Sequence, residues 1–176
     1  MVCAVTGTWT CAVCGEEHEG VPLSWGFDAP AYWDEERDSA EGFLTSDLCV
    51  IPRGDGEFDR FVRGMIDIPI LDGSTEPEQS FGIGPWVSLS ERNFDWYVEH
   101  FEADASEQGE PWFGWLSNSV PVYPETLSLK THVHLRGGGT RPSIELERTE
   151  HPLARDQHDG ITLARAHELA TSWAHS

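Results

Sequence analysis

The sequence predicts an α+β fold: a largely antiparallel sheet with two or three helices and an N-terminal zinc knuckle. Three observations predict it. Strand-like stretches with period-two alternation come in runs, with helical stretches between and after them. Two segments, after Ser90 and after Thr162, carry apolar residues at helical spacing. Near the start, Cys11-Ala-Val-Cys14-Gly15 has the spacing of a metal-gripping turn.

Residues 1–8 read as a short tail and 9–176 as a single domain that includes the knuckle at 11–18. Trp9-Thr10-Cys11 is a brief strand entering the knuckle, and Gly20 to Pro30 a turn-rich connection. Asp28 offers an N-cap and Pro30 a first-turn proline, which predicts a short helix through about Asp38. Strands are expected over Thr45–Ile51, Phe58–Leu71 and Phe81–Leu89, with breaks at Pro52, Gly73 and Pro77 and an edge or bend at Pro69. Ser90 caps a helix from Glu91 to about Ala103, whose apolar face is Phe94, Tyr97, Val98 and Phe101. Trp112–Ser117 reads as a strand and the proline-rich 118–124 as a loop. Leu127–Arg136 and Ser143–Arg148 alternate on either side of Gly137-Gly-Gly-Thr140 and predict a hairpin. Its register sets His134 against Ser143, His132 against Glu145 and Lys130 against Glu147. A last helix starts near Thr162, with Ala166, Leu169, Ala170 and Trp173 on one face.

Composition narrows function. A hydrophobic share of 39% with eight Trp and eight Phe belongs to a chain that folds around a core. The formal charge is −20, with Lys130 the sole lysine beside ten arginines. Such a surface repels phosphate backbones and anionic lipid, so nucleic acid and membrane are not expected partners. No run of about 18 apolar residues is present, and the N-terminus has no secretory pattern, so the expected location is the cytoplasm. The acidity reads first as solvation. A DNA-mimicking decoy for a basic partner is the sharper alternative.

The four cysteines, Cys3, Cys11, Cys14 and Cys49, are expected to meet a reducing environment, where paired thiols more often hold metal than form disulfides. Two thiolates two residues apart reach one tetrahedral ion, and Gly15 can take the positive φ that turns backbone N–H groups toward the sulfurs. A redox pair is the rival. It wants a helix starting at the first cysteine, which Gly15-Glu16-Glu17 continues poorly. One zinc ion is expected, held by Cys11, Cys14, His18 and Cys49. Against the last two stand ordinary roles: a loop histidine bonding a carbonyl, and a buried core thiol.

In Cys11-x-x-Cys14-Gly15-x-x-His18-x-Gly20-x-Pro22, Ser46-Asp-Leu-Cys49, Trp86-Val-Ser-Leu-Ser90, Phe113-Gly-Trp-Leu-Ser-Asn118, Leu129-Lys-Thr131 and His151-Pro-Leu-Ala154, the chain resembles the bacterial family called domain of unknown function 2199. The likeness runs from about Trp9 to Ala170, with Val21 where a leucine is expected. It implies a small bacterial cytoplasmic protein with a cysteine–histidine site, and no activity.

Three other groups have chemical potential. Lys130, His132, His134 and Arg136 share one strand face, either a ladder that contacts an anion or ligand, or a solvated face paired to Glu145 and Glu147. Trp86, Trp112, Phe113, Trp115 and Tyr123 are core, or line a pocket in part. As neighbours on a strand, Trp112 and Phe113 must face opposite ways. His151, Asp156 and His158 could form an acid–base or metal group. No nucleophile elbow, phosphate loop, zinc-protease helix or dinucleotide fingerprint is present. The leading reading is a zinc-stabilised binding or interaction module for an unknown protein or small molecule. A small zinc hydrolase is the second, and an acidic inhibitor or immunity-type protein the third.

Overall fold

The computed structural model describes residues 8–10, 17–19, 24–72, 80–104 and 108–174. Within them the α+β expectation holds, with four α-helices where two or three were expected. A small hairpin comes first: β1 (Thr8–Thr10) pairs antiparallel with β2 (Glu17–Glu19), Thr10 opposite Glu17 and Trp9 opposite His18. The connection that carries Cys11 and Cys14 lies outside the described residues.

The expected strand at 45–51 is β5 (Leu48–Pro52), preceded by the two-residue β4 (Phe43–Leu44). The stretch 58–71 forms β6 (Phe58–Arg63) and β7 (Ile66–Pro69), and 81–89 forms β8 (Ser80–Gly84) and β9 (Trp86–Leu89). Both long strands break at the same level, because Gly64 N–H donates to the Pro85 carbonyl at 3.0 Å where each arm changes sheet. One half of this bent hairpin completes a sheet of order β4-β5-β6-β9. The other half joins β3 (Ser24–Gly26) in the order β3-β8-β7, with β3 parallel to β8.

β10 (Trp112–Trp115), β11 (Lys130–His134) and β12 (Ser143–Leu146) form the third sheet. It is stitched to both halves of the bent hairpin. Ser117 N–H donates to the Trp86 carbonyl (2.8 Å) on one side, and Ile144 N–H to the Met65 carbonyl (2.7 Å) on the other. The expected β11–β12 register is found, with His132 opposite Glu145, Val133 opposite Ile144 and His134 opposite Ser143. Gly137, Gly138 and Gly139 turn the chain at φ 72°, 57° and 70°, a run that only glycine accepts without strain.

Three of the four helices bury side chains in the main core. α2 (Glu91–Glu99) starts where expected, its cap Ser90 accepting from Asn93 N–H at 3.3 Å. It ends four residues early. The His100 ring stacks on Trp96 at 4.0 Å and bonds its carbonyl, which closes the last turn. α1 is a larger correction. It spans only Glu35–Asp38, capped by Asp34 rather than Asp28. Residues before it are captured by tertiary bonds, Ala31 N–H to the Ser117 carbonyl (2.8 Å) and the Ala29 carbonyl to Asn118 (2.9 Å). α3 (Pro152–Asp159) was not expected. His151 caps it and Pro152 stands in its first turn. α4 (Leu163–Ala174) follows, with Ala166, Leu169 and Ala170 buried as foreseen.

The main core is built on Val62, Ile66, Ile68, Phe81, Ile83, Leu116, Val133, Ile144 and the inward faces of α2, α3 and α4. A second, smaller cluster lies on Cys49, Ile51, Phe61 and Trp86, covered by Phe27, Trp33 and Leu44. β5 serves both, since its side chains alternate: Leu48 and Val50 reach the first cluster, Cys49 and Ile51 the second.

Candidate functional site

Cys11 and Cys14 lie outside the described residues, and so does Cys3. Cys49 is fully enclosed in the second cluster. Burial among apolar groups pushes its thiol up to about 12, and the nearby Asp38 carboxylate adds to the shift. Among the described residues no three His, Cys, Asp or Glu side chains come together as a metal site.

The basic ladder is present, and it faces acids. Lys130 Nζ is 3.7 Å from Glu147, and His134 Nε2 is 2.9 Å from Glu145. Arg136 pairs with Asp67 at 2.5 Å, across to β7. His132 stands exposed between Phe113 and Glu145 in the register. The alternation thus splits as predicted: Thr131 and Val133 are buried, while Lys130 and His132 are outside. His151, Asp156 and His158 do not converge. His151 bonds the Pro124 carbonyl, Asp156 accepts from the Tyr123 hydroxyl (2.6 Å), and His158 bonds the Leu146 carbonyl (2.7 Å). Each is spent on holding one element to another.

The aromatic group divides. Trp86 and Tyr123 are core, and Trp112 packs half-buried with its edge to Trp96 at 5.4 Å. Phe113 and Trp115 point outward, 47% and 43% exposed, their rings edge to face at 4.9 Å. Between them Gly114 is pressed against β9. A Cβ there would stand 2.6 Å from the Ser88 carbonyl oxygen, so no larger residue fits this crossing. Exposed aromatic area of this kind, on a rigid strand, is the usual material of a binding surface.

Beside Trp115 opens a groove of about 350 Å³. Leu129, Leu146 and Ala154 contribute its apolar lining, and Lys130 and Glu147 its charged lining. That volume is at the lower end of ligand pockets.

The loop that follows β10 is strained. Val122, Glu125 and Ser128 have φ of 73°, 35° and 63°. A β-branched residue there is a genuine outlier, costing about 1–3 kcal/mol. What holds the strain is a dense set of bonds. Thr126 Oγ1 donates to the Asn118 carbonyl (2.8 Å) and accepts from Val120 N–H (2.7 Å), and Ser128 N–H donates to the Leu116 carbonyl (2.8 Å). Burial and the hydrogen bond to Asp156 raise the Tyr123 phenol far above its ordinary value, so it stays a donor. The φ values had no signal in the sequence, because none of the three residues is glycine or asparagine.

A family model described as an uncharacterized protein conserved in bacteria (DUF2199) matches residues 10–161. The chain belongs to that family. No curated protein and no solved structure matches it. No helix among the described residues is long and apolar enough to cross a membrane.

Proposed function

We propose that this member of the family is a zinc-stabilised binding module, with one zinc ion organising the N-terminal segment and the outer face of β10–β12 meeting the ligand. The observation that carries the reading is the pairing of β1 with β2. It sets Thr10 opposite Glu17, so the two ends of the connection holding Cys11-Ala-Val-Cys14-Gly15 are drawn together. A hairpin that returns on itself this closely lets two thiolates two residues apart address one ion. His18 and Cys49 are the candidates for the remaining two places.

The binding half of the reading is supported by Phe113 and Trp115, which lie outside the core on β10, Trp115 lining the groove. Lys130, His132, His134 and Arg136 form the polar frame of that face rather than a free anion site, since three of the four already face a carboxylate.

Metal analysis of the purified chain tests the first half. About one zinc per chain is expected, and Cys11→Ser with Cys14→Ser should lose it. Full metal retention by that double variant would overturn the site. His18→Ala and Cys49→Ser separate ligands from bystanders, because only loss of a ligand lowers the zinc kept after dialysis against a chelator.

A further inference from the structure

We propose that the groove beside Trp115 receives a cationic side chain, an arginine presented by a basic polypeptide partner. The proposal rests on the binding-module reading and supplies its partner. Its ground is what the groove already holds. Lys130, the sole lysine of the chain, stands directly opposite Trp115 in the β10–β11 register. Its ammonium is 3.7 Å from the Glu147 carboxylate. In the strand order the free protein therefore sets a cation-bearing residue of its own between Trp115 and an acid. Both partners are about half exposed, at 55% and 45%, and an exposed pair of this kind is weak and readily exchanged.

An arginine suits this place better than the resident lysine. Its planar guanidinium is more weakly hydrated than an ammonium, stacks on an indole face, and meets a carboxylate with two parallel N–H donors. The apolar lining from Leu129, Leu146 and Ala154 accepts the methylene stem. Charge points the same way at long range: a chain of net charge −20 attracts a basic partner and repels an acidic one. Phe113, Val122 and Leu127, exposed in the same segment, give the partner's apolar residues something to cover. The bonds that hold the 118–128 loop leave little ordering for binding to impose.

Fluorescence anisotropy on the full chain, with a labelled acetyl-(Arg-Leu)3-amide probe and its (Glu-Leu)3 counterpart, tests the assignment. The basic peptide should bind and the acidic one should not. Trp115→Ala should weaken binding about fivefold, with Trp115→Phe retaining most of it. Glu147→Gln should weaken it about threefold, and Lys130→Ala should tighten it about threefold by freeing Glu147. The proposal is overturned by wild-type affinity in both Trp115→Ala and Glu147→Gln, which would mean diffuse attraction to the acidic surface. Weaker binding in Lys130→Ala, preference for (Glu-Leu)3, or no binding of either peptide would also overturn it. Zinc content of the same preparations separates the two readings. Metal-free protein with this variant pattern removes the zinc module and keeps the groove, while zinc-loaded protein without the pattern does the reverse.

Discussion

Asn118 is the residue whose removal should do most damage for its size. It is 2% exposed, at the point where three segments meet. Its Oδ1 accepts from Trp86 N–H at 2.7 Å, and its Nδ2 donates to the Ala29 carbonyl at 2.9 Å. Asn118→Ala removes both bonds and leaves the Trp86 N–H stranded inside the protein. A stranded buried donor costs about 1–3 kcal/mol, and the second bond, nearer solvent, about 1 kcal/mol. The expected loss is therefore about 3 kcal/mol, read from urea denaturation by far-UV circular dichroism. Asn118→Asp sharpens the test. Its carboxyl can still accept from Trp86, but it can face the Ala29 carbonyl only when protonated. Folding then raises its pKa above the unfolded value of about 3.9. The stabilising contribution is present below that value and lost as pH rises through the folded pKa. The gap between Asn118→Asp and wild type should accordingly widen between about pH 4 and pH 7, while the gap for Asn118→Ala stays flat. A loss under about 1 kcal/mol for the alanine variant, or a pH-independent aspartate variant, would mean that these two bonds do not hold the junction.

Other positions give further tests. Gln157 stands in for a neighbouring strand at β12, accepting from Leu146 N–H at 2.8 Å and donating to the Ile144 carbonyl at 2.7 Å. Gln157→Leu should cost about 2 kcal/mol and bare a strand edge, seen as a lower urea midpoint and increased light scattering. Val122→Gly should raise the thermal midpoint by relieving the positive φ, worth up to about 1 kcal/mol after the entropy of the added glycine. A lower midpoint would mean that the loop is not strained in solution. Acid should destabilise the protein through two carboxyls. Hydrogen bonds from Arg37 hold Asp38 below the usual range, and although burial opposes it, bonds from Arg141 and Ser46 hold Asp47 low too. With folded pKa values under the unfolded ones, their contribution is present above about pH 4 and lost as pH falls. Arg141→Met should flatten part of that slope, and an unchanged slope would remove Asp47 from the account.

Features that depend on neighbours along the chain could be read from the amino acids alone. The β11–β12 register was legible because period-two alternation on both strands allows no one-residue slip without turning one apolar set outward, and three glycines mark the turn. Ser90 as a cap and the burial of Phe94, Tyr97, Ala166, Leu169 and Ala170 follow from local bonding and helical spacing, whereas Val98, expected on the same face, is exposed and Phe101 falls beyond the end of α2. The outward pair Phe113 and Trp115 follows in part, since Trp112 and Phe113 had to point opposite ways. The remaining features depend on contacts between segments far apart in the chain. α1 starts at Glu35 because Ser117 and Asn118, distant in sequence, take the backbone groups that a helix from Asp28 would have used. His151, Asp156 and His158 look like chemistry as a string of letters, yet the first two bond the loop at 123–124 and the third bonds β12, and the eight-residue helix that carries them is too short for periodicity to declare it. The groove is the clearest case. Trp115 and Lys130 come from two strands, Glu147 from the position just after β12 and Ala154 from a helix, and only the folding of the third sheet against α3 brings them to one groove.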